Sequence, residues 1–327
     1  MKRYRIIIIF SLITFLIPMC NPKTSKENST YEEKPMNVLY AELELEVPAM
    51  LGEGAIWNYE TNTLWWVDIE GRKLNIYNPG TKENRTIDVR ERIGTVVPAK
   101  KGGAIIALEN GIFHLDLDSG EQTLLCNPLE KLDTIRFNDG KCDPAGRLWV
   151  GSMSLTFKKG AASLYTIETN GSYKKVFGDV TVSNGIIWSN DHKTMYYIDT
   201  PLGTVRAWDY DLDSGEISNE RGVVTIPRDM GGPDGMTIDA EGKLWVAHWG
   251  GSMIGRWDPE TGELIARIEV PAPNVTSCAF GGPDLNILYI TTAGGDDPKM
   301  LENYPLAGSV FRAYPGVKGV KADFFGD

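Results

Sequence analysis

The sequence predicts an all-β chain folded as a six-bladed β-propeller, each blade a four-stranded antiparallel meander. Three observations predict it. A strand rich in aromatic and β-branched residues recurs six times at nearly even spacing. Turns rich in Gly, Asp or Asn separate the copies, and a composition of 35 Gly, 18 Pro and 10 % aromatic residues suits many short strands better than helices.

At the N-terminus, Lys2, Arg3 and Arg5 precede an apolar run from Ile6 to about Pro18. That run is too short to cross a membrane comfortably and has the length of a signal-peptide core. Cys20 closes it, and the polar stretch 21–38 reads as a flexible tether. Residues 1–20 are therefore expected to be a signal peptide of lipoprotein type, with lipid attachment at Cys20 anchoring an exported bacterial domain to a membrane, in the periplasm or at a surface. Ile17-Pro18-Met19 departs from the usual lipobox, so ordinary secretion with Cys20 incidental stays open. Cys126, Cys142 and Cys278 have no metal-ligand spacing and read as buried thiols.

Residues 39–327 are expected to form the propeller. Residues 41–47 alternate apolar and charged, as a half-buried strand does, and their place before the first blade suits the outer strand of the last. Pairing the two chain ends in one blade closes the ring and removes an exposed edge. The repeat begins at Leu64-Trp65-Trp66-Val67-Asp68 and continues at Ala104–Leu108, Leu148–Gly151, Met195–Asp199, Leu244–Ala247 and Leu288–Thr291. Taking Trp66, Ile106, Val150, Ile198, Val246 and Ile290 as equivalent gives spacings of 40, 44, 48, 48 and 44 residues. Before the copies stand turns such as Asp143-Pro144-Ala145-Gly146 and Asp239-Ala240-Glu241-Gly242, and after each comes a further strand ending in a turn.

In a propeller the first strand of each blade lines the central channel, so equivalent positions converge there. Eleven to 14 residues before the repeat positions stand Glu53, Thr95, Asn138, Asn184, Asp234 and Ser277, all polar. Any one Asn-Gly or Asp-Gly pair is ordinarily a turn; recurrence at one phase of several repeats points to a site. Carboxylates and amide carbonyls are hard oxygen donors, suited to one divalent cation, Ca²⁺ first, with Mg²⁺, Mn²⁺, Zn²⁺ or Fe²⁺ as alternatives. With three histidines and no His-x-x-x-His pair, a zincin-type site is excluded. The formal charge of −11 argues against nucleic-acid binding, which needs clustered cations.

Leu51-Gly52-Glu53-Gly54, Trp65-Trp66-Val67-Asp68-Ile69, Arg136-Phe137-Asn138-Asp139-Gly140-Lys141, Asp143-Pro144-Ala145-Gly146-Arg147, Ser183-Asn184-Gly185 and Pro233-Asp234-Gly235-Met236 resemble the signature blocks of the SMP-30/gluconolactonase/regucalcin family. The likeness runs from about residue 45 to residue 320. It implies a divalent metal held by Glu53, Asn184 and Asp234, with Arg136 and Asn138 contacting sugar hydroxyls. It also implies a sugar lactonase that opens an aldonolactone to its aldonic acid, with Asp234 as the catalytic base. One departure stands out. Family members carry a substrate-contacting glutamate after a Gly-Ser/Thr-Met segment, whereas Gly151-Ser152-Met153 here leads into Ser154-Leu155-Thr156-Phe157. Two other readings stay open: a propeller arylesterase or phosphotriesterase with a more apolar pocket, and a metal- or sugar-binding module without chemistry.

Overall fold

The computed structural model describes residues 36–326; the expected signal peptide, the expected lipidation site Cys20 and nearly all of the expected tether lie outside the described residues. Six antiparallel sheets form the propeller expected from the repeat. Blade 1 comprises Gly52–Asn58, Thr63–Asp68, Lys73–Asn78 and Glu83–Asp88, and blade 2 Ile93–Pro98, Ala104–Leu108, Gly111–Leu115 and Gln122–Cys126. Blade 3 comprises Ile135–Cys142, Leu148–Ser154, Ala162–Ile167 and Tyr173–Val180, and blade 4 Ser183–Trp188, Thr194–Asp199, Thr204–Tyr210 and Ile217–Thr225. Blade 5 comprises Gly232–Ile238, Leu244–Trp249, Met253–Trp257 and Leu264–Glu269, and blade 6 Val275–Gly281, Ile287–Thr292 and Val310–Ala313.

The missing strand of blade 6 is Glu42–Leu45, which pairs antiparallel with Val310–Ala313 and closes the ring as the alternation of 41–47 implies. An element the sequence did not announce precedes it. Asn37–Tyr40 pairs parallel with Leu264–Glu269, adding a fifth strand to blade 5. Residues 37–45 thus join two blades.

The repeated strand is the second of each blade, and its six equivalent residues are buried. The conserved phase has a physical cause in two of the hairpins. The indole N–H of Trp149 donates to Asp143 Oδ2 at 2.8 Å, and that of Trp245 to Asp239 Oδ2 at 2.9 Å. Each Asp also accepts backbone N–H groups of its own turn, so turn and core are held by one carboxylate. The three cysteines among the described residues are free and buried, as expected.

After blade 6 the chain runs past the ends of the first strands. Gly319 N donates to Leu285 O, Phe325 N to Pro98 O and Gly326 N to Gly146 O, at 2.7, 2.9 and 3.0 Å. These hydrogen bonds touch the hairpins of blades 6, 2 and 3. Together with Lys141, Thr237 and Phe280, the tail residues Val320–Asp323 line a cavity of about 140 Å³ at this far end of the channel.

Candidate active site at the channel mouth

Glu53, Thr95, Asn138, Asn184, Asp234 and Ser277 all sit near the starts of the first strands of their blades, and each is at most 5 % exposed. The local backbone explains why these positions stand out. In every blade the pairing of first and second strand slips by one residue there: between Glu53 and Ile56, Ile93 and Thr95, Phe137 and Gly140, Ser183 and Ile186, Pro233 and Met236, and Val275 and Ser277. A bulge leaves a residue unpaired, turns the strand and re-aims side chains. Six bulges at one level make a ring of redirected groups.

The glycines after the site residues are needed for space as well as for conformation. A Cβ on Gly185 would stand 2.8 Å from Asp234 O, and one on Gly235 would stand 2.8 Å from Thr276 O and 2.7 Å from Ser277 Oγ. Bare backbone here lets neighbouring first strands close up around the axis. Entry loops are fixed too. Asp68 accepts the N–H groups of Met50 and Leu51 ahead of Glu53, and Asp199 those of Thr181 and Val182 ahead of Asn184.

The structure brings the sequence-derived residues together in two linked groups. The buried carboxyls of Glu53 and Asp234 lie close enough to shift one another. Burial, then the charge of Asp139, raises the Glu53 carboxyl to about 7. Burial, then the charge of Glu53, holds Asp234 well above the usual carboxylate range. In the second group Arg136 Nη1 donates to Phe137 O at 2.8 Å and to Asn138 Oδ1 at 2.7 Å. Asn138 Nδ2 donates in turn to Ser183 O at 2.7 Å and to Asn184 Oδ1 at 2.9 Å. Asn184 Nδ2 donates to Thr200 Oγ1, whose hydroxyl donates to Pro233 O beside Asp234. Asn184 is thereby oriented, and its carbonyl oxygen keeps a second lone pair.

The donor set fits a divalent cation. Two carboxylates are pressed together in a buried site, and Asp234 Oδ1 is buried without a hydrogen-bond partner. A positive charge between them would relieve both. Among the described residues no three His, Cys, Asp or Glu side chains gather at ligand spacing, so a cation here would need amide oxygens such as that of Asn184.

The environments of Asp139, Ser277 and Lys141 went unread in the sequence. Asp139, 3 % exposed, has Oδ2 buried without a partner, and its charge acts on Glu53 and Asp234. Ser277 Oγ is likewise buried and unpartnered, whereas Thr95 is committed to Gly140 O. Lys141 reaches across the channel to Met236 O at 3.0 Å. The signal for Asp139 was its place in a bulge, where two consecutive residues can face the same side, and a bulge is set by tertiary pairing. Arg136 is 6 % exposed, and burial lowers its pKa to about 10. Trp249, at the mouth end of blade 5, is 41 % exposed and forms part of the rim.

Residues 51–294 match the SMP-30/gluconolactonase/LRE-like region. The Bacillus subtilis protein YvrE, named as a sugar lactone lactonase, is 42 % identical over 277 residues, covering 84 % of this chain and 94 % of its own length. Regucalcin of Xenopus laevis is 40 % identical over 282 residues, with the same shares of the two chains. Among solved structures, the calcium-binding regucalcin of Agrobacterium tumefaciens aligns with a TM-score of 0.85 at 29 % identity, covering 89 % of this chain and 99 % of that one.

Proposed function

The chain belongs to the SMP-30/gluconolactonase/LRE-like family, and from that premise we propose that it is a metal-dependent sugar lactonase, hydrolysing an aldonolactone to its aldonic acid. The observation that carries the reading is the pairing of Glu53 with Asp234 at the mouth, linked through Asn184 and Asn138 to a buried Arg136. A divalent cation at Glu53, Asn184 and Asp234, Ca²⁺ by analogy with the calcium-binding relative, would supply charge stabilisation for the oxyanion of lactone opening.

The remaining steps belong to the chain's own groups. Asp234 Oδ1 is free of protein partners and takes the proton of the attacking water as its oxygen bonds to the lactone carbonyl carbon. When the ring C–O bond breaks, that proton passes to the departing ring oxygen, leaving a hydroxyl and a carboxylic acid. Arg136 and Asn138 contact hydroxyls of the sugar, fixing the ester against Asp234. The bonds from Arg136 Nη1 to Phe137 O and Asn138 Oδ1 keep this contact rigid.

A lactone panel read by acid release, run before and after chelation and after return of single divalent ions, tests the proposal. The expected result is turnover of an aldonolactone that chelation abolishes and one ion restores. In Asp234→Asn, turnover is lost while the circular dichroism of the β-fold is unchanged; near-wild-type turnover in that variant removes Asp234 from the reaction. Hydrolysis of aryl esters or phosphotriesters in preference to every lactone would transfer the site to another ester class.

A further inference from the structure

Arg136 is a buried guanidinium without a carboxylate. Among the described residues it makes no ion pair, and its hydrogen bonds all leave from Nη1. Nε and Nη2 have no hydrogen-bond partner among the described residues. The carboxylate that most favours its charge is Glu70, but both oxygens of Glu70 accept from Arg92 Nε at 2.9 Å, and Arg92 Nη1 also engages Glu109. The rim acids are thus neutralised by Arg92. A desolvated, unpaired cation is costly, and its planar fork matches two oxygens of one carboxylate.

The neighbouring loop has the same sign. Arg136 pairs across the strands with Met153, two residues before the second strand of blade 3 enters the loop Leu155-Thr156-Phe157-Lys158-Lys159 at the mouth. Those five residues are exposed, and they carry two lysines and no acid. In a chain of net charge −11 this is a local basic rim beside the one buried guanidinium of the site.

Building on the lactonase reading, we propose that the preferred substrate is an acidic sugar lactone, one with a free carboxylate distant from the ring ester, and that Arg136 binds that carboxylate. The carboxylate enters past Lys158 and Lys159 and docks on Nε and Nη2 of Arg136. The ester then lies toward Glu53 and Asp234.

The test compares glucarolactone with gluconolactone on metal-loaded protein, and separately measures binding of the dianion glucarate and the monoanion gluconate by calorimetry. Glucarolactone is expected to have kcat/KM roughly 10- to 100-fold above gluconolactone, the range of one charge-assisted carboxylate contact. Glucarate should bind more tightly than gluconate by a similar factor. Arg136→Gln should erase both ratios, whereas Arg136→Lys should retain part of them. The double variant Lys158→Gln/Lys159→Gln should lower kcat/KM for glucarolactone a few-fold, more at low salt, and leave gluconolactone unchanged. Equal kcat/KM for the two lactones overturns the carboxylate site and leaves the lactonase reading standing. If neither lactone is hydrolysed, the lactonase reading falls, and binding decides the anion site: tighter glucarate lost in Arg136→Gln supports it, and equal binding overturns it.

Discussion

Replacing Glu53 with Gln keeps the shape of the side chain and removes its charge, and the structure gives the size and sign of the effect. In metal-free protein the Glu53 carboxyl is raised from 4.5 to about 7 by burial and by the Asp139 charge. Between those pH values the folded state holds a proton that the unfolded chain has released, so stability falls as pH rises. At about 1.4 kcal/mol per pH unit the loss reaches about 3 kcal/mol by neutral pH and is absent below pH 4.5. Glu53→Gln cannot lose that proton. In chelator at pH 8 its melting temperature should exceed that of wild type by about 6 °C, taking ~2 °C per kcal/mol for a domain of this size, and at pH 4.5 the two should coincide. Added Ca²⁺ at about a thousand times its Kd should reverse the order, because a ligand that binds only the folded state then stabilises by about 4.1 kcal/mol, more than the loss at Glu53, and the variant lacks a donor. Scanning calorimetry in chelator and in Ca²⁺ measures both. A variant no more stable than wild type in chelator at pH 8, or one that gains the same Ca²⁺ shift, would refute the placing of Glu53 in a charge-strained cation site.

Gly235→Ala forces a methyl against Thr276 O and Ser277 Oγ and should cost about 1–3 kcal/mol in urea unfolding; Gly222→Ala, whose methyl meets only Thr204 Cγ2 at 3.4 Å, should cost little by comparison. His248 is fully buried, with Nδ1 bonded to Met230 O and its ring stacked on Trp257, and burial lowers its pKa to about 4. The unfolded chain therefore takes up a proton near pH 6.5 that the folded state refuses, so this residue costs stability as pH falls from 6.5 toward 4, by up to about 3 kcal/mol. The drop in unfolding free energy between pH 7 and pH 4.5 should shrink in His248→Gln, and an unchanged drop would show that His248 is not its source.

Much of the molecule was decided locally. The second strand of each blade is legible in Leu64-Trp65-Trp66-Val67-Asp68 and its five counterparts because each must fill the space between blades, and the Asp-to-indole bond fixes its distance from the turn. Ring closure by residues 41–47 was legible because alternation reports a strand and position reports its blade. The repeat phase likewise picked out Glu53, Thr95, Asn138, Asn184, Asp234 and Ser277, among which the family resemblance singled out Glu53, Asn184 and Asp234. Tertiary structure alone decided the parallel strand Asn37–Tyr40, the tail across the far end of the channel, and the six bulges at the mouth. It also decided that Asp139 faces the site and that Arg136 is buried without a counter-charge. The physical reason is that burial and charge at the mouth are sums over six blades. A sequence repeat specifies each blade's contribution, and only the closed ring sets what those contributions meet.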